Sequence, residues 1–353
     1  MKIAITADNH LKTYNETPER YKAVEDIFEK CLSNGVDYLI MAGDVFDSTN
    51  SNDSKYDDFS KICEDHSNLN LIIFAGNHDP DLKQIFFTAD NIEVIEKPSI
   101  KTFEGIQFLF IPYDGTKTMH TAISEFMGDK KIDSRWVLVG HSDYVSGGVT
   151  NGYDYGTYMP LFAKTISLYN FSKVFLGHIH KPSTIGSVLY PGSPYPLNIN
   201  ETDKRGFIVY DISTDRFERM PVETDVIYFD EEFLNFPVDN ETDYIKKQID
   251  DMINGWDISE DNLKKVYMRI SIKGFSKNLK ELKNEVQKHL QSYGIKLYED
   301  INLNNLKILS NPDDERILLL NKVMDKVKKL DMKNFLATRD DVIEKSMEII
   351  FKV

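Results

Sequence analysis

The sequence predicts an α/β fold that gathers its chemistry along one edge of a buried sheet. Two observations carry this. Short apolar runs with almost no alternation recur between stretches of helical spacing, as strands buried on both faces require. Directly after five of these runs stands a short motif of glycine, aspartate, asparagine and histidine. Strand–helix alternation of this kind delivers ligands on loops at the carboxyl ends of strands.

The elements follow in order. Ile3-Ala4-Ile5 is the first strand and leads into Asp8-Asn9-His10. A helix is predicted over 18–33, where Tyr21, Val24, Ile27, Phe28 and Cys31 share one face. Tyr38-Leu39-Ile40-Met41 precedes Gly43-Asp44-Val45-Phe46-Asp47, and a second helix spans 54–65 through Tyr56, Phe59, Ile62 and Cys63. Leu71-Ile72-Ile73-Phe74 precedes Gly76-Asn77-His78-Asp79. Trp136-Val137-Leu138-Val139 precedes Gly140-His141, and Val174-Phe175-Leu176 precedes Gly177-His178-Ile179-His180. Glycine at these strand ends is expected to let the backbone turn sharply and approach an ion or phosphate closely. Leu189-Tyr190-Pro191-Gly192-Ser193-Pro194 reads as a loop at the rim, and Arg205–Tyr210 as a strand completing the sheet.

A second unit begins near residue 226. It combines a helix around 242–254, an alternating strand at Val266–Ile272, a helix over 277–292 and a strand near 295–298. This is a small α/β module over 226–301. The Asn/Asp-rich stretch 302–313, with Pro312, reads as a linker. Two amphipathic helices close the chain, over 314–330 and 339–352, the second started by Thr338 or Arg339-Asp340. The pair either packs on its own unit or offers a face to a partner. Its near-zero net charge and apolar content favour a partner.

Composition narrows the class. The chain has 353 residues, 41% of them hydrophobic and 28% charged, which fits two or three globular domains and argues against disorder. No apolar stretch is long enough to span a bilayer. The first strand begins at once, leaving no room for a signal peptide, and the two cysteines, Cys31 and Cys63, read as reduced thiols. A cytoplasmic location is expected. The formal charge of −15 is concentrated in residues 1–225. So acidic a chain is no general polyanion binder, and nucleic-acid contact would depend on metal, on local lysines or on a partner.

Asp, Asn and His together, without cysteine, suit a hard-to-borderline divalent ion, manganese before iron or zinc. Seven oxygen and nitrogen donors are too many for one tetrahedral zinc and suit two ions that share a carboxylate. Asp44, fixed behind a buried strand and a glycine, is the candidate bridge. Two ions about 3.5–4 Å apart clamp a phosphoryl oxygen and lower the pKa of bound water from 15.7 to about 7. Asp79 stands where it could hold the ring of its neighbour His78. His66, His120 and His289 fall outside the pattern and read as surface residues.

In this order the motifs resemble the calcineurin-like metallophosphoesterase superfamily, whose pattern is D-x-H, G-D-x-x-D, G-N-H-D, G-H and G-H-x-H. They run from Asp8 to His180, about half the chain. Gly43–Asp47, Gly177-His178-Ile179-His180-Lys181-Pro182 and Tyr190–Pro194 are further similar to the SbcD-type DNA repair nucleases.

The resemblance implies a four-layer αββα sandwich over 1–225, a capping and DNA-binding module over 226–301, and C-terminal helices over 314–353 that bind an SbcC-type ABC ATPase. It implies that Asp8, His10 and His180 bind a first ion, that Asp44 bridges, and that Asn77, His141 and His178 bind a second. His78 then stabilises the transition state or protonates the leaving sugar oxygen, with Asp79 orienting it. Such proteins are manganese-dependent 3′–5′ exonucleases and endonucleases, with magnesium, iron or zinc as other candidate ions, and form dimers; helix 54–65 is the implied dimer contact. Some relatives carry a second histidine where this chain has Asp47.

Lys12, Tyr14 and Lys55 are candidate DNA contacts, through phosphate or base stacking. The loop Gly147–Tyr158 faces substrate or merely connects. Two other functions remain open from sequence. One is a phosphomonoesterase or cyclic-nucleotide phosphodiesterase with the same site; Ser48, where the protein phosphatases have arginine, disfavours that branch, and the 128 residues after 225 exceed what a small-molecule enzyme needs. The other is a non-catalytic scaffold, disfavoured because every ligand position is filled.

Overall fold

The computed structural model describes residues 1–47, 53–128, 130, 135–146, 158–237, 240–309, 314–332 and 338–351. Ser48 and residues 147–157 of the glycine-rich loop lie outside them. The chain divides into two compact units. One comprises Met1–Leu197 with Lys204–Asp225, the other Asn198–Asp203 with Val226–Val353.

The first unit opens with β1 (Lys2–Thr6), α1 (Pro18–Ser33), β2 (Tyr38–Ala42), α2 (Ser54–Asp65), β3 (Asn70–Phe74) and β4 (Ile92–Ile95). β5 (Ser99–Phe103) and β6 (Ile106–Ile111) form a hairpin, followed by α3 (Met119–Met127) and β7 (Trp136–His141). β8 (Tyr144–Val145) pairs β9 (Leu161–Phe162), and α4 (Ala163–Tyr169) leads to β10 (Lys173–Gly177). β11 (Ser183–Ile185), β12 (Val188–Tyr190), β13 (Gly206–Asp211) and β14 (Arg216–Pro221) complete the unit.

Two six-stranded sheets result, in the orders β14-β13-β1-β2-β3-β4 and β11-β12-β10-β7-β6-β5. The central strands β1, β2 and β3 are parallel, as are β6, β7 and β10, so all five motifs leave their strands at carboxyl ends. Side chains alternate across each strand. Ile3, Ile5, Ile40, Ile72 and Phe74 of the first sheet join one core with Phe108, Phe110, Val137, Val139 and Phe175 of the second. Ala4, Leu39, Met41, Leu71 and Ile73 point the other way, into a core with Val24, Ile27 and Phe28 of α1 and Phe59 of α2. Leu109, Ile111, Leu138, Val174 and Leu176 likewise meet Met119, Ile123 and Met127 of α3. Both faces of the central strands of both sheets are therefore buried, which is why those strands show no alternation in sequence. The layers read αββα, and both helix boundaries read from sequence, 18–33 and 54–65, are those of α1 and α2.

The second unit contains β15 (Ile227–Asn235), α5 (Glu241–Gly255), α6 (Glu260–Leu263), β16 (Val266–Ser276), α7 (Leu279–Ser292), β17 (Lys296–Leu297) and β18 (Leu306–Ile308). β15, β17 and β18 all pair with β16 in parallel. Residues 302–309 are thus no free linker. Asn302 bridges Ser271, Leu306 stands opposite Gly274, and Ile301 and Leu306 are buried in the core of this unit. The buried Leu306 and the pairing of β18 with β16 outweigh the polar composition that suggested a linker. Last come α8 (Asp314–Val327) and α9 (Arg339–Phe351). Thr338 caps α9, its hydroxyl accepting the Asp341 amide while Asp341 accepts the Thr338 amide. Leu320, Met324, Ile343, Met347 and Phe351 pack with Leu234, Phe236 and Phe275, so one face of the helix pair is satisfied within its own unit. Leu318, Leu319, Leu330 and Ile349 remain exposed. Among the described residues no helix is long and apolar enough to cross a membrane.

Candidate metal centre

The chains leaving β1 and β2 stay paired beyond the sheet. Asp8 N–H donates to the Gly43 carbonyl, His10 N–H to Asp44 and Leu11 N–H to Val45, at 3.1, 3.0 and 2.8 Å. This sets Asp8 and His10 beside Asp44. Four donor-bearing residues, Asp8, His10, Asp44 and His178, have φ between 48° and 95°, a left-handed backbone unusual without glycine. Such residues cost about 1–3 kcal/mol each and persist only where surroundings over-determine them. Here both Asp8 oxygens accept the His178 amide at 2.9 and 3.1 Å, and Asp44 Oδ1 accepts the His78 amide at 2.8 Å. Arg20 donates to the His10 carbonyl, and Arg205 to that of His180 at 2.9 Å.

The motif glycines serve a different purpose from the one expected. A Cβ on Gly43 would lie 2.4 Å from His141 Nδ1, on Gly76 2.2 Å from Asp44 Oδ1, and on Gly177 2.0 Å from the Ala42 carbonyl oxygen. The close approach is to neighbouring motifs, which pack edge to edge. Gly177→Ala should therefore overpack the centre, costing about 3 kcal/mol or more and lowering Tm by roughly 6–12 °C. Calorimetry measures this directly; an unchanged Tm would show that the motifs have slack between them.

All seven donors expected from sequence come together. Donor atoms of Asp8, His10 and His180 lie within 4.8 Å of one another, with His10 Nε2 and His180 Nε2 3.1 Å apart. Asn77 Oδ1 lies 2.9 Å from both His141 Nε2 and His178 Nδ1. Asp44 Oδ2 stands between the groups, 3.3 Å from His141 Nε2 and 3.8 Å from His10 Nε2.

The electrostatics ask for a cation. Asp8 and Asp44 are buried, and among the described residues their ion-pair partners are histidines, with no lysine or arginine. Burial, with help from Asp44, raises the Asp8 carboxyl above its usual range. Burial opposes charge on Asp44 too, but His141 and His10 hold its carboxyl well below the usual range. Burial would lower His141, yet the Asp44 carboxylate raises it to about 9. A proton and a divalent ion therefore compete for the same nitrogen. His141 Nδ1 is 2.9 Å from the Ala42 carbonyl, so Nδ1 carries hydrogen and the neutral ring turns its Nε2 lone pair toward Asn77 Oδ1. Converging lone pairs from oxygen and nitrogen, without sulfur, fit a hard-to-borderline divalent ion.

The family model for calcineurin-like phosphoesterases matches residues 1–182. The chain belongs to the calcineurin-like phosphoesterase family. It is therefore a member of a metal-using hydrolase family, and its clustered donors lie in the matched region or at its edge. A similar curated protein is exonuclease subunit 1 of Enterobacteria phage T4, 27% identical over 219 residues that make up 57% of this chain and 60% of that relative. The match thus spans less than two thirds of the relative's length. Among solved structures, a protein of Thermus thermophilus is 14% identical, with a TM-score of 0.42, covering 63% of this chain and 99% of that one. A purple acid phosphatase from yellow lupin seeds is also 14% identical, with a TM-score of 0.40, covering 59% of this chain and 48% of that one.

Around the phosphoesterase centre, several residues depart from expectation. His78 is exposed, its ring edge-on to His10 at 4.7 Å, and its Nδ1 lies 3.0 Å from the Asp47 carbonyl oxygen. Asp79 does not orient it. Asp79 is fully buried, accepting the Gly76 amide at 2.7 Å and the Phe46 amide at 3.1 Å, and so ties two motif loops together. Burial, then the nearby Asp44, pushes its carboxyl up to about 6. Asp47 supports His10 instead, with Oδ1 3.4 Å from Nδ1, and pairs with Lys12 at 3.3 Å. Its carboxyl is held below the usual range, chiefly by the His10 ring beside it and then by Lys12.

Lys55 is buried against the rings of Tyr56 and Phe46, at 5.0 and 5.5 Å, so it cannot reach a phosphate on the surface. Tyr14 is exposed and leans on Tyr21, and Lys12 is half-exposed beside Asp47. His120 is not a plain surface residue, because its Nδ1 is buried with no hydrogen-bond partner among the described residues. Sequence reading missed Asp143, whose Oδ1 lies 3.2 Å from His178 Nε2; Tyr158, the last residue of the loop that sequence offered as substrate-facing or connecting, packs its ring on His178 at 4.6 Å. Cys31 and Cys63 are free and buried, and burial pushes the Cys31 thiol up to about 12.

Proposed function

We propose that this chain is a metal-dependent DNA nuclease that uses two divalent ions, manganese by preference. The observation that carries the reading is the shared position of Asp44, whose Oδ2 faces a histidine of each donor group. Asp8, His10 and His180 would hold one ion, Asn77, His141 and His178 the other, and Asp44 both. Bound divalent ions there supply Lewis acidity toward a phosphoryl oxygen and a water of lowered pKa.

The chain's own residues do the rest. Asp47 and the Ala42 carbonyl fix the rings of His10 and His141 so that Nε2 faces inward in each. The Asp47 carbonyl accepts from His78 Nδ1–H, so His78 would act as the imidazolium, giving its Nε2 proton to the departing sugar oxygen and returning to the neutral Nδ1–H form. A nucleic acid as the substrate is supported by the name of the phage relative, an exonuclease subunit, and DNA is the nucleic acid of this reading. The exposed Leu318, Leu319, Leu330 and Ile349 of the terminal helices support docking of an SbcC-type ATPase. A homodimer and a cytoplasmic location complete the reading, the latter supported by two free thiols.

The test is a digest of end-labelled linear duplex and of circular DNA by the purified chain in manganese, in magnesium and in chelator. A nitrophenyl phosphate monoester is the competing substrate. Manganese-dependent release of nucleotides that stops in chelator is expected. Turnover of the monoester with intact DNA would move the assignment to a phosphomonoesterase.

A further inference from the structure

Asp143 stands two residues after His141, at the base of the β8–β9 ribbon. Its backbone is fixed there: its N–H donates to the Tyr158 carbonyl at 3.1 Å and its carbonyl accepts the Leu161 amide at 2.8 Å. Its side chain is fixed too. Oδ2 accepts the Tyr158 amide at 3.0 Å, and Oδ1 lies 3.2 Å from His178 Nε2. On the opposite side of that ring, Nδ1 lies 2.9 Å from Asn77 Oδ1.

A neutral imidazole has one donor nitrogen and one acceptor nitrogen, and its partners decide which is which. A carboxylate accepts only. Placed at Nε2, it puts the hydrogen there and leaves the Nδ1 lone pair facing Asn77 and the centre. The Tyr158 ring, 4.6 Å away, limits how far the imidazole can tilt. Among the described residues, the side chains facing the His178 ring nitrogens are Asn77 at Nδ1 and Asp143 at Nε2.

We propose that Asp143 is a positioning residue that sets the tautomer and angle of His178, so that Nδ1 binds one of the two ions. The inference rests on the two-ion reading above and names the residue that prepares one of its ligands. A carboxylate behind a metal-binding histidine raises the basicity of the ring, and its removal commonly costs 10–100-fold in metal affinity.

The experiment compares the full chain with Asp143→Ala, Asp143→Leu and Asp143→Asn. Manganese is titrated and followed by electron paramagnetic resonance, which separates single ions from exchange-coupled pairs. Thermal unfolding in chelator is measured alongside. Asp143→Ala should bind one ion as the native chain does and the other roughly 10–100-fold more weakly. At manganese levels that saturate the native chain, its coupled-pair signal should be replaced by that of single ions. Asp143→Asn keeps one oxygen that can accept Nε2–H, at the expense of the Tyr158 amide, and should retain more of the coupled signal than Asp143→Ala. Asp143→Leu keeps the branched shape at Cγ without the acceptor and should behave like Asp143→Ala, standing in for it if alanine prevents folding.

Undiminished affinity for both ions in the alanine or leucine variant would overturn the proposal. So would an asparagine variant no better than alanine, or a loss explained by lower stability in chelator. A native chain that bound only one ion would refute the two-ion reading instead. Asp143 would then be judged by whether that single ion is weakened.

Discussion

Asp44→Asn is expected to leave a folded chain that no longer forms a coupled pair of manganese ions and cleaves phosphodiesters at least ~10³-fold more slowly. Asparagine matches the shape of aspartate and can still accept the His78 amide that Oδ1 now accepts at 2.8 Å. What it lacks is charge. Asp44 Oδ2 is the atom between the groups, 3.3 Å from His141 Nε2 and 3.8 Å from His10 Nε2. Without it, two dications would face each other across neutral donors, leaving Asp8 as the remaining carboxylate of the donor set. Several kcal/mol of transition-state stabilisation depend on the ions, and each 1.36 kcal/mol is tenfold in rate. Manganese titration and initial rates on labelled duplex measure the two effects separately. A variant that held both ions at native affinity would remove Asp44 from its bridging position.

The sequence exposed the centre more clearly than the surroundings that make it work. A histidine or aspartate after a buried strand can be read locally, because strand and motif are contiguous. Asp143 and Asp47 act across the fold, Asp143 on a ring 35 positions later and Asp47 on one 37 positions earlier, so only the closed structure shows their targets. Lys55 is a different failure. It stands four residues before Phe59 and seven before Ile62, on the buried face of α2, so the helical spacing that located the helix also argued against a surface lysine. Residues 92–127 are hard to read because β4 is four residues long, β5 is partly exposed, and no histidine motif follows β6 to mark its end. The Glu104-Gly105 turn of the β5–β6 hairpin, with both residues at positive φ, was the available signal there. In the second unit, the alternating burial of β16 matched its sequence pattern, whereas β18 is three residues long and lies in polar surroundings.

His78→Ala should retain both manganese ions yet lower kcat on DNA by about 10²–10⁴-fold, the range for a lost general acid. The residue is exposed, and its ring nitrogen bonds to the Asp47 carbonyl, so its removal should change stability by no more than about 0.5 kcal/mol. The geometry also offers a competing role. A nitrogen of His78 lies within 4.8 Å of donor atoms of both His10 and Asp44, close enough for His78 itself to ligate. The two roles separate on ion count and on leaving group. A proton donor matters for a sugar alkoxide and much less for a nitrophenolate, which departs readily without a proton. His78→Ala should therefore be far less impaired on bis-nitrophenyl phosphate than on DNA, with manganese stoichiometry unchanged. Equal losses on both substrates together with a missing ion would make His78 a ligand, and the departing oxygen would need another acid.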